Sequence, residues 1–360
     1  MNVIPATNSV LVFTAPRTIG FIDEPERPLA AHEVRLQTLF SGISAGTELT
    51  AYRGTNPYLH KRWDADRRLF IATAEEQLNY PQVGWGYEEV GEIIEVGAEV
   101  ERLEVGQRVY GTWGHRSQWI VTADYAQARI LAPHVEPILG IFSRIGAIAL
   151  NGILDAQINL GETVAVFGMG VVGQLVAQLA RLSGARVIAV DLIESRLALA
   201  RQLGTDTVID GSAQSAAEVI KDMMGGRGAD VCIECSGATA ALNEAIRACA
   251  YSARVVTMGF FQGEARSLLL GEEFHHNRID LVCSQISGVN PALKYRWDAL
   301  RLSTAFMELV ADGRLNLQPL ITHVLPFSEA ARLFTLLDTQ PNTVIQAVLA
   351  FPGAALPSWA

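Results

Sequence analysis

Two hydrophobic rhythms divide the chain. Up to about residue 135 apolar and polar residues alternate in short runs punctuated by glycine and acidic residues. Glu33-Val-Arg-Leu-Gln-Thr-Leu-Phe40 alternates cleanly, and Glu89-Val-Gly-Glu-Ile-Ile-Glu-Val96 does so less cleanly. Ser117-Gln-Trp-Ile-Val-Thr122 and Ala128-Arg-Ile-Leu131 read as two more short strands. A period of two is the mark of strands with one buried face. The stretch from Tyr52 to Gln82 breaks this rhythm, being long and polar and carrying Lys61, Arg62, Arg67 and Arg68. Structureless loops of that length are uncommon, so an excursion containing a short helix is expected.

From about Gly140 strand and helix patterns alternate. Apolar strands are predicted at Thr163–Phe167, Arg186–Val190, Thr207–Ile209, Ala229–Ile233 and Arg254–Met258. Helical spacing lies between them over Val171–Ser183, Glu194–Leu203, Ala213–Met223 and Ala238–Ala250. Apolar strands alternating with helices imply a parallel sheet covered on both faces. Beyond about 290 the pattern loosens into helices near Asp298–Asp312 and Ser328–Leu337 and a strand at Val344–Leu349. The fold class is therefore α/β, with a β-rich domain over 1–140 and a doubly wound Rossmann domain over 141–294.

Length and composition agree with this division. The 360 residues suit two domains, and 49% hydrophobic against 18% charged residues supplies large cores and excludes wholesale disorder. With 38 acidic against 28 basic residues the formal net charge is −10, which argues against nucleic acid or an anionic membrane as a partner. Cys232, Cys235, Cys249 and Cys283 form no disulfide framework, so a cytoplasmic location is expected. No basic region followed by an apolar core opens the sequence, which predicts no signal peptide. The most apolar run, Val164–Ala180, falls about a turn short of a membrane span and contains Gln174 and Gln178.

Its glycines have a chemical reading. Gly168-Met169-Gly170-Val171-Val172-Gly173 is a G-x-G-x-x-G placed directly after an apolar strand and at the start of a helix. The first glycine permits a tight turn. The second lets a pyrophosphate approach the backbone, and the third lets helix and strand pack closely. N–H groups at the helix start would hold the phosphates. Asp191 ends the next strand eighteen residues after Gly173, where a carboxylate accepts hydrogen bonds from the adenosine ribose and repels a 2′-phosphate. NAD(H) is favoured and NADP(H) remains open. Arg196 could stack on adenine or assist a 2′-phosphate; alternatively it is a solvated helix arginine. Cys232 and Cys235 form a C-x-x-C, but residues three apart on a strand point to opposite faces, so a metal or redox pair is not expected. Glu234-Cys235-Ser236-Gly237 instead marks a strand's carboxyl end, where ligands bind in such sheets, with Gly259 serving the same site from the next strand.

A β-rich first third, a dinucleotide fold and a return to the first domain resemble the medium-chain dehydrogenase/reductase superfamily. The matching pieces are Val83-Gly-Trp-Gly-Tyr-Glu-Glu-Val-Gly91, Gly106-Gln-Arg-Val-Tyr110, the glycine fingerprint with Asp191, and Glu234-Cys-Ser-Gly237. The resemblance implies that 295–360 rejoin 1–140 in a GroES-like catalytic domain, with a substrate held in the cleft between domains. Ser41-Gly-Ile-Ser-Ala-Gly-Thr-Glu48 with Gly86-Tyr-Glu88 further resembles the branch that holds bacteriochlorophyllide a dehydrogenase. The departures from the zinc alcohol dehydrogenases carry most weight. Their cysteine ligand falls on Ser44 or Ala45 here, their histidine on Tyr87, and their third protein ligand on Arg144. These side chains cannot assemble a catalytic zinc site, and residues 1–230 hold no cysteine for a structural one. No zinc of either kind is expected.

Without a metal the carbinol oxygen still needs a proton acceptor or donor. Tyr87 is the first candidate, with Arg144 nearby to lower its pKa; the bland alternative is a pocket-wall aromatic. Arg144 could equally form a structural salt bridge to Glu88. Thr47 could relay a proton or be a turn hydroxyl, and Glu48 after it reads as a structural acid holding an arginine. His115, in Trp113-Gly-His-Arg116, could be the base, although a lone loop histidine is usually solvated. Trp85, Trp113 and Trp297 could wall a bulky ring or simply be core. His275-His276 should diverge on an extended segment and bind no metal. The expected function is zinc-independent, NAD-dependent hydride transfer between nicotinamide and a secondary alcohol or ketone. A quinone or enone reductase and a non-catalytic dinucleotide sensor are the alternatives. The resemblance also implies a homodimer, with Arg278–Ser284 supplying an edge strand.

Overall fold

The alternation beginning at Glu33 becomes the strand Glu33–Ile43, nearly all of it buried. We describe it from a computed structural model covering residues 8–59, 61–72 and 79–359. The strand pairs antiparallel with Glu88–Val96, placing Gly42 opposite Glu88 and Ser41 opposite Glu89. The sheet runs in the order Ile321–Pro326, Gln346–Ala350, Glu33–Ile43, Glu88–Val96, Arg108–Gly111, and Gln118–Thr122 pairs with the other end of the central strand. Beside it Asn8–Ala15 lies between Thr18–Glu24 and Gln82–Val83. Phe13 meets Phe334 of the helix Ala330–Thr339 edge-on at 5.3 Å between ring centroids, and Tyr52 of the helix Ala45–Arg53 lies 5.4 Å from the same ring.

One local expectation fails here. Ala128–Leu131 is no strand; it makes only a bridge from Ile130 to Val109. The described part of the excursion after Tyr52 holds a 3₁₀ turn at Pro57–Leu59 and a hairpin of Lys61–Asp64 with Leu69–Ala72; the expected short helix is not among these residues. Trp63, Phe70 and Ile71 favour strand, and Asp64 fixes the turn by accepting the Arg67 N–H at 3.0 Å. Residue 60 and residues 73–78 lie outside the described residues.

The second rhythm gives a six-stranded parallel sheet. Its order is Thr207–Asp210, Arg186–Asp191, Thr163–Phe167, Ala229–Glu234, Cys249–Thr257, Asp280–Cys283. Strand order reverses between Thr163–Phe167 and Ala229–Glu234, the place where open α/β sheets bind ligands. The expected edge strand at Arg278–Ser284 is present as Asp280–Cys283. His275 and His276 are helical rather than extended, with ring centroids 5.4 Å apart.

The two compact units are Met1–Arg144 with Ile321–Ala360, and Ile145–Leu320. The return to the first unit thus comes at Ile321, later than residue 295. The helix Ala299–Ala311 stays with the second unit because Phe306 fills the space over Gly146, and Gln178 exchanges hydrogen bonds with the backbone of Asn316 at 2.8 and 3.2 Å. One helical run, Pro137–Ala156, reaches span length and hydropathy; 72% of it is buried within the fold, as in a core helix.

Candidate active site

The glycine loop of the second unit has the geometry its sequence implies. Thr163–Phe167 is buried throughout, and the chain turns at Gly168 with φ of +89°. A Cβ on Gly168 would stand 2.7 Å from that of Ser236, and one on Gly173 would strike the Gly168 carbonyl. Gly170, by contrast, faces open space and caps the helix Val171–Leu182. That open, side-chain-free step before a helix N-terminus is what a pyrophosphate requires.

Asp191 has a second task that spacing did not reveal. Its Oδ2 accepts the Met169 N–H at 2.6 Å, and its Oδ1 accepts the Leu192 and Ile193 N–H groups at 2.7 and 2.9 Å. The carboxylate therefore ties the second strand to the glycine turn. An ionised carboxylate offers about four lone-pair sites, so capacity for a ribose diol remains. Arg196 is not a solvated helix arginine: its Nη1 lies 4.0 Å from Asp191 Oδ2 and its side chain is 19% exposed. Gln174 is a residue the sequence reading passed over. It donates to the carbonyls of Met169 and Arg196 at 3.3 and 2.9 Å, and its one visible signal was a polar residue in an apolar helix.

Across the switch point Glu234 is buried and accepts the N–H groups of Ser236 and Gly237 at 2.7 and 3.0 Å. Burial raises its pKa. The Cys235 N–H donates to the Phe167 carbonyl at 2.8 Å, while burial and then the charge of Glu234 push its thiol well above the usual range. Cys232 is buried beside Cys249, so the C-x-x-C pair does diverge. A Cβ on Gly259 would fall 2.6 Å from the Glu234 carboxylate. Gly168, Met169, Gly170, Val171, Val172, Gly173, Asp191, Cys235, Ser236 and Gly259 thus share one edge of the sheet and fit a nicotinamide dinucleotide.

The first unit gathers the remaining candidates. Ser44 precedes the helix Ala45–Arg53, but its hydroxyl makes no cap. It is hydrogen-bonded to the Tyr87 hydroxyl instead, and Thr47 Oγ1 lies 3.3 Å from the same phenol oxygen. Of the two residues that the turn offered at the cysteine position, it is thus Ser44 that meets Tyr87. Glu48 takes over the capping, accepting the Ser44 N–H at 2.7 Å with one oxygen. Its other oxygen lies 2.6 Å from His115 Nε2, both side chains being fully buried. His115 Nδ1 is 2.7 Å from Ser41 Oγ, which donates to Glu89 at 3.0 Å, and Glu89 accepts the Trp113 N–H at 2.7 Å. With Ser41 donating to Glu89 and Nε2 facing the Glu48 carboxylate, the arrangement favours the protonated ring.

Four expectations are corrected by this arrangement. Glu48 holds a histidine, not an arginine. His115 is neither solvated nor an open base; burial opposes its charge, yet Glu48 and then Glu89 raise its pKa. Arg144 forms no salt bridge with Glu88 among the described residues. Glu88 accepts from Gln346 at 2.9 Å, and burial, reinforced by the charges of Glu48 and Glu89, holds its pKa well above the carboxylate range. The Tyr87 phenol is raised, not lowered, because burial and the charge of Glu88 outweigh its hydroxyl partners. Burial depresses Arg144. Trp113 is core, donating to Thr38 Oγ1 at 3.0 Å, and Trp85 packs 6.1 Å from Phe13.

The donor set does not fit a catalytic zinc. Ser44 and Tyr87 offer protonated hydroxyls, Arg144 is a cation, and both nitrogens of the buried histidine are committed to Ser41 and Glu48. No group of three or more His, Cys, Asp or Glu side chains able to hold a metal occurs among the described residues.

Comparison with known proteins follows the same lines. Residues 171–301 match the family model described as zinc-binding dehydrogenase. D-guloside 3-dehydrogenase of Shigella flexneri is 30% identical over 95% of this chain and 99% of its own. A zinc-binding dehydrogenase of Sinorhizobium meliloti solved bound to NADP superposes with a TM-score of 0.77 at 20% identity, covering 96% of this chain and 99% of that one. An alcohol dehydrogenase of Escherichia coli solved with NADH gives 0.75 at 21% identity, covering 96% and 100%. A parallel sheet with a glycine turn at its switch point, a β-rich partner unit and a relative aligned from end to end lead to one family: the chain belongs to the medium-chain dehydrogenase/reductase superfamily, among its zinc-type alcohol dehydrogenase-like members.

Proposed function

We propose that this chain is an NAD-dependent oxidoreductase that works without zinc, interconverting a secondary alcohol of a polyol or sugar and the corresponding ketone. The observation that carries the reading is the Tyr87 hydroxyl held by Ser44 and Thr47, with Ser44 and Tyr87 standing where zinc enzymes of the family place ligands. The guloside relative supports a ring or chain secondary hydroxyl as the reacting group.

Bound nicotinamide would supply the hydride chemistry, and the protein supplies binding and proton management. Gly168, Gly170 and Gly173 leave room for the pyrophosphate, and Asp191 selects the unphosphorylated ribose. Tyr87, with its pKa raised, holds its proton at neutral pH and donates it to the carbonyl oxygen in the reductive direction. In the oxidative direction the phenol oxygen receives the carbinol proton while the Tyr87 proton passes to the Thr47 hydroxyl, which is half-buried and releases its own proton to solvent. Arg144 keeps a positive field near the phenol that favours the developing alkoxide.

The test is a titration of the purified protein with NADH and NADPH by fluorescence, followed by turnover with cyclic and open-chain secondary polyols before and after EDTA. Tighter NADH binding and chelator-insensitive turnover are expected. Stoichiometric zinc whose removal abolishes activity would overturn the reading. NADH binding without turnover of any alcohol or ketone would favour the sensor alternative.

A further inference from the structure

The parallel sheet sends every chain segment that leaves a strand's carboxyl end toward one edge, the edge that carries the glycine loop, Ser236 and Gly259. After Asp280–Cys283 that segment is 284–298. It stands on the half of the sheet beyond the switch point, opposite the adenosine half marked by Asp191.

The segment is anchored from beneath. The Ser284 N–H donates to the Thr257 carbonyl at 2.9 Å. Asn151 donates to Ser284 Oγ and the Gly288 carbonyl, both at 3.2 Å. Asn290, itself buried, donates to the Leu154 carbonyl at 3.3 Å and accepts the Ala292 N–H at 3.0 Å. The anchored loop then holds out Lys294, Tyr295 and Arg296, with Tyr295 77% exposed. The Arg296 guanidinium lies 5.5 Å over the Tyr295 ring and that of Arg301 lies 4.5 Å over Trp297, while Arg301 also bonds the Arg296 carbonyl. Cation–π attraction holds each guanidinium over its ring, and N–H donors remain beyond the one that Arg301 commits to the Arg296 carbonyl.

What this cluster lacks is an internal counter-charge. Neighbouring arginines of the unit are paired, Arg254 with Asp280 at 2.8 Å and Arg247 with Glu244, Glu218 and Glu273. Among the described residues no carboxylate comes within ion-pair distance of Lys294, Arg296 or Arg301. The nearby Asp298 is turned to its own helix, accepting the Arg301 N–H at 2.8 Å as an N-cap. On a chain of formal net charge −10, two uncompensated cations on a braced loop and a third in the first turn of the helix that follows call for an anion from outside.

We infer that Lys294, Arg296 and Arg301 bind an anionic substituent of the substrate, a phosphate ester or a carboxylate, so that the true substrates are charged sugars or polyols rather than neutral ones. This rests on the oxidoreductase reading and adds the substrate class to it. Planar guanidinium forks match either anion bidentately, and Tyr295 and Trp297 offer ring faces for the carbon skeleton.

The experiment is calorimetric titration of the NADH-loaded protein with sorbitol, sorbitol 6-phosphate, gluconate and inorganic phosphate, in parallel with oxidation assays on the three organic compounds. A phosphate or carboxylate compound is expected to bind at least ~10-fold more tightly than sorbitol, with the advantage shrinking as salt rises. Sorbitol 6-phosphate against gluconate tells which anion is preferred. Lys294→Gln with Arg296→Gln should erase the advantage and leave NADH affinity unchanged. Equal binding of all four probes, no binding of any, an advantage that survives the double substitution, or an advantage that inorganic phosphate reproduces by displacing NADH would each overturn the inference. Anion-selective binding without oxidation of any compound would leave this site standing and remove the oxidoreductase reading. Fast oxidation of sorbitol with no anion preference would do the reverse.

Discussion

In the function proposed above, Tyr87 is the residue on which the chemistry turns. Removing its hydroxyl as Tyr87→Phe should lower kcat by about 100-fold or more, the usual worth of a positioned acid–base group, with NADH affinity unchanged in a fluorescence titration. An unaltered kcat would remove the phenol from the mechanism. Below it, buried Glu48 and Glu89 flank His115 with buried Glu88 beside the two acids, and the pH dependence follows. His115 is raised above the ordinary histidine value, so it stabilises the fold below that value and loses the contribution as pH rises through its folded pKa. Glu88 and Glu89 are also raised, so the folded chain keeps protons that the unfolded chain has released, and stability falls over the same climb. Melting should therefore come earlier at pH 9 than at pH 6. Glu88→Gln keeps an acceptor for Gln346 without the charge and should raise the alkaline melting temperature by about 2–4 °C for each kcal/mol regained. A drop at pH 9 would show that the charge is wanted. Little of this was readable beforehand. Tyr87 and Thr47 stood out by position, but the partnership of Glu48 with His115 joins a helix residue to a loop residue 67 positions on, and no local pattern encodes that.

At the scale of elements, periodicity did its work where each strand was buried on both faces. Thr163–Phe167 and Ala229–Glu234 lie where their apolar runs placed them. Ala128–Leu131 failed because four residues are too few to tell a strand from a turn that happens to alternate. The hairpin after Lys61 was missed because charged residues masked its β-formers. The glycine loop allows a sharper test of element geometry. Gly170→Ala adds a methyl to open space, so it should fold normally yet weaken NADH binding at least ~10-fold, because the pyrophosphate needs that space. Gly173→Ala drives a methyl into the Gly168 carbonyl and should lower the melting temperature as well. Thermal melts alongside NADH titration separate the two effects, and equal melting losses would refute the distinction. The edge strand Asp280–Cys283 carries an exposed Leu281, and a dimer built by pairing this edge should be visible by sedimentation and broken by Leu281→Lys. A wild-type monomer would exclude it.

For the whole molecule, the architecture was legible because both units announce themselves by rhythm and the glycine motif sits at the only junction where it makes physical sense. The boundary near 295 was not, since the helix Ala299–Ala311 owes its place to Phe306 over Gly146, a contact made across most of the unit's length. Arg144 has a consequence for any attempt to build a metal site here. Ser44→Cys with Tyr87→His would bring a thiol and an imidazole together, but beside a fixed positive charge that repels a divalent ion. Such a double variant should fail to retain zinc through dialysis, and only a third change at 144 would let it do so. The arginine thus guards the pocket against a metal, whatever donors stand around it.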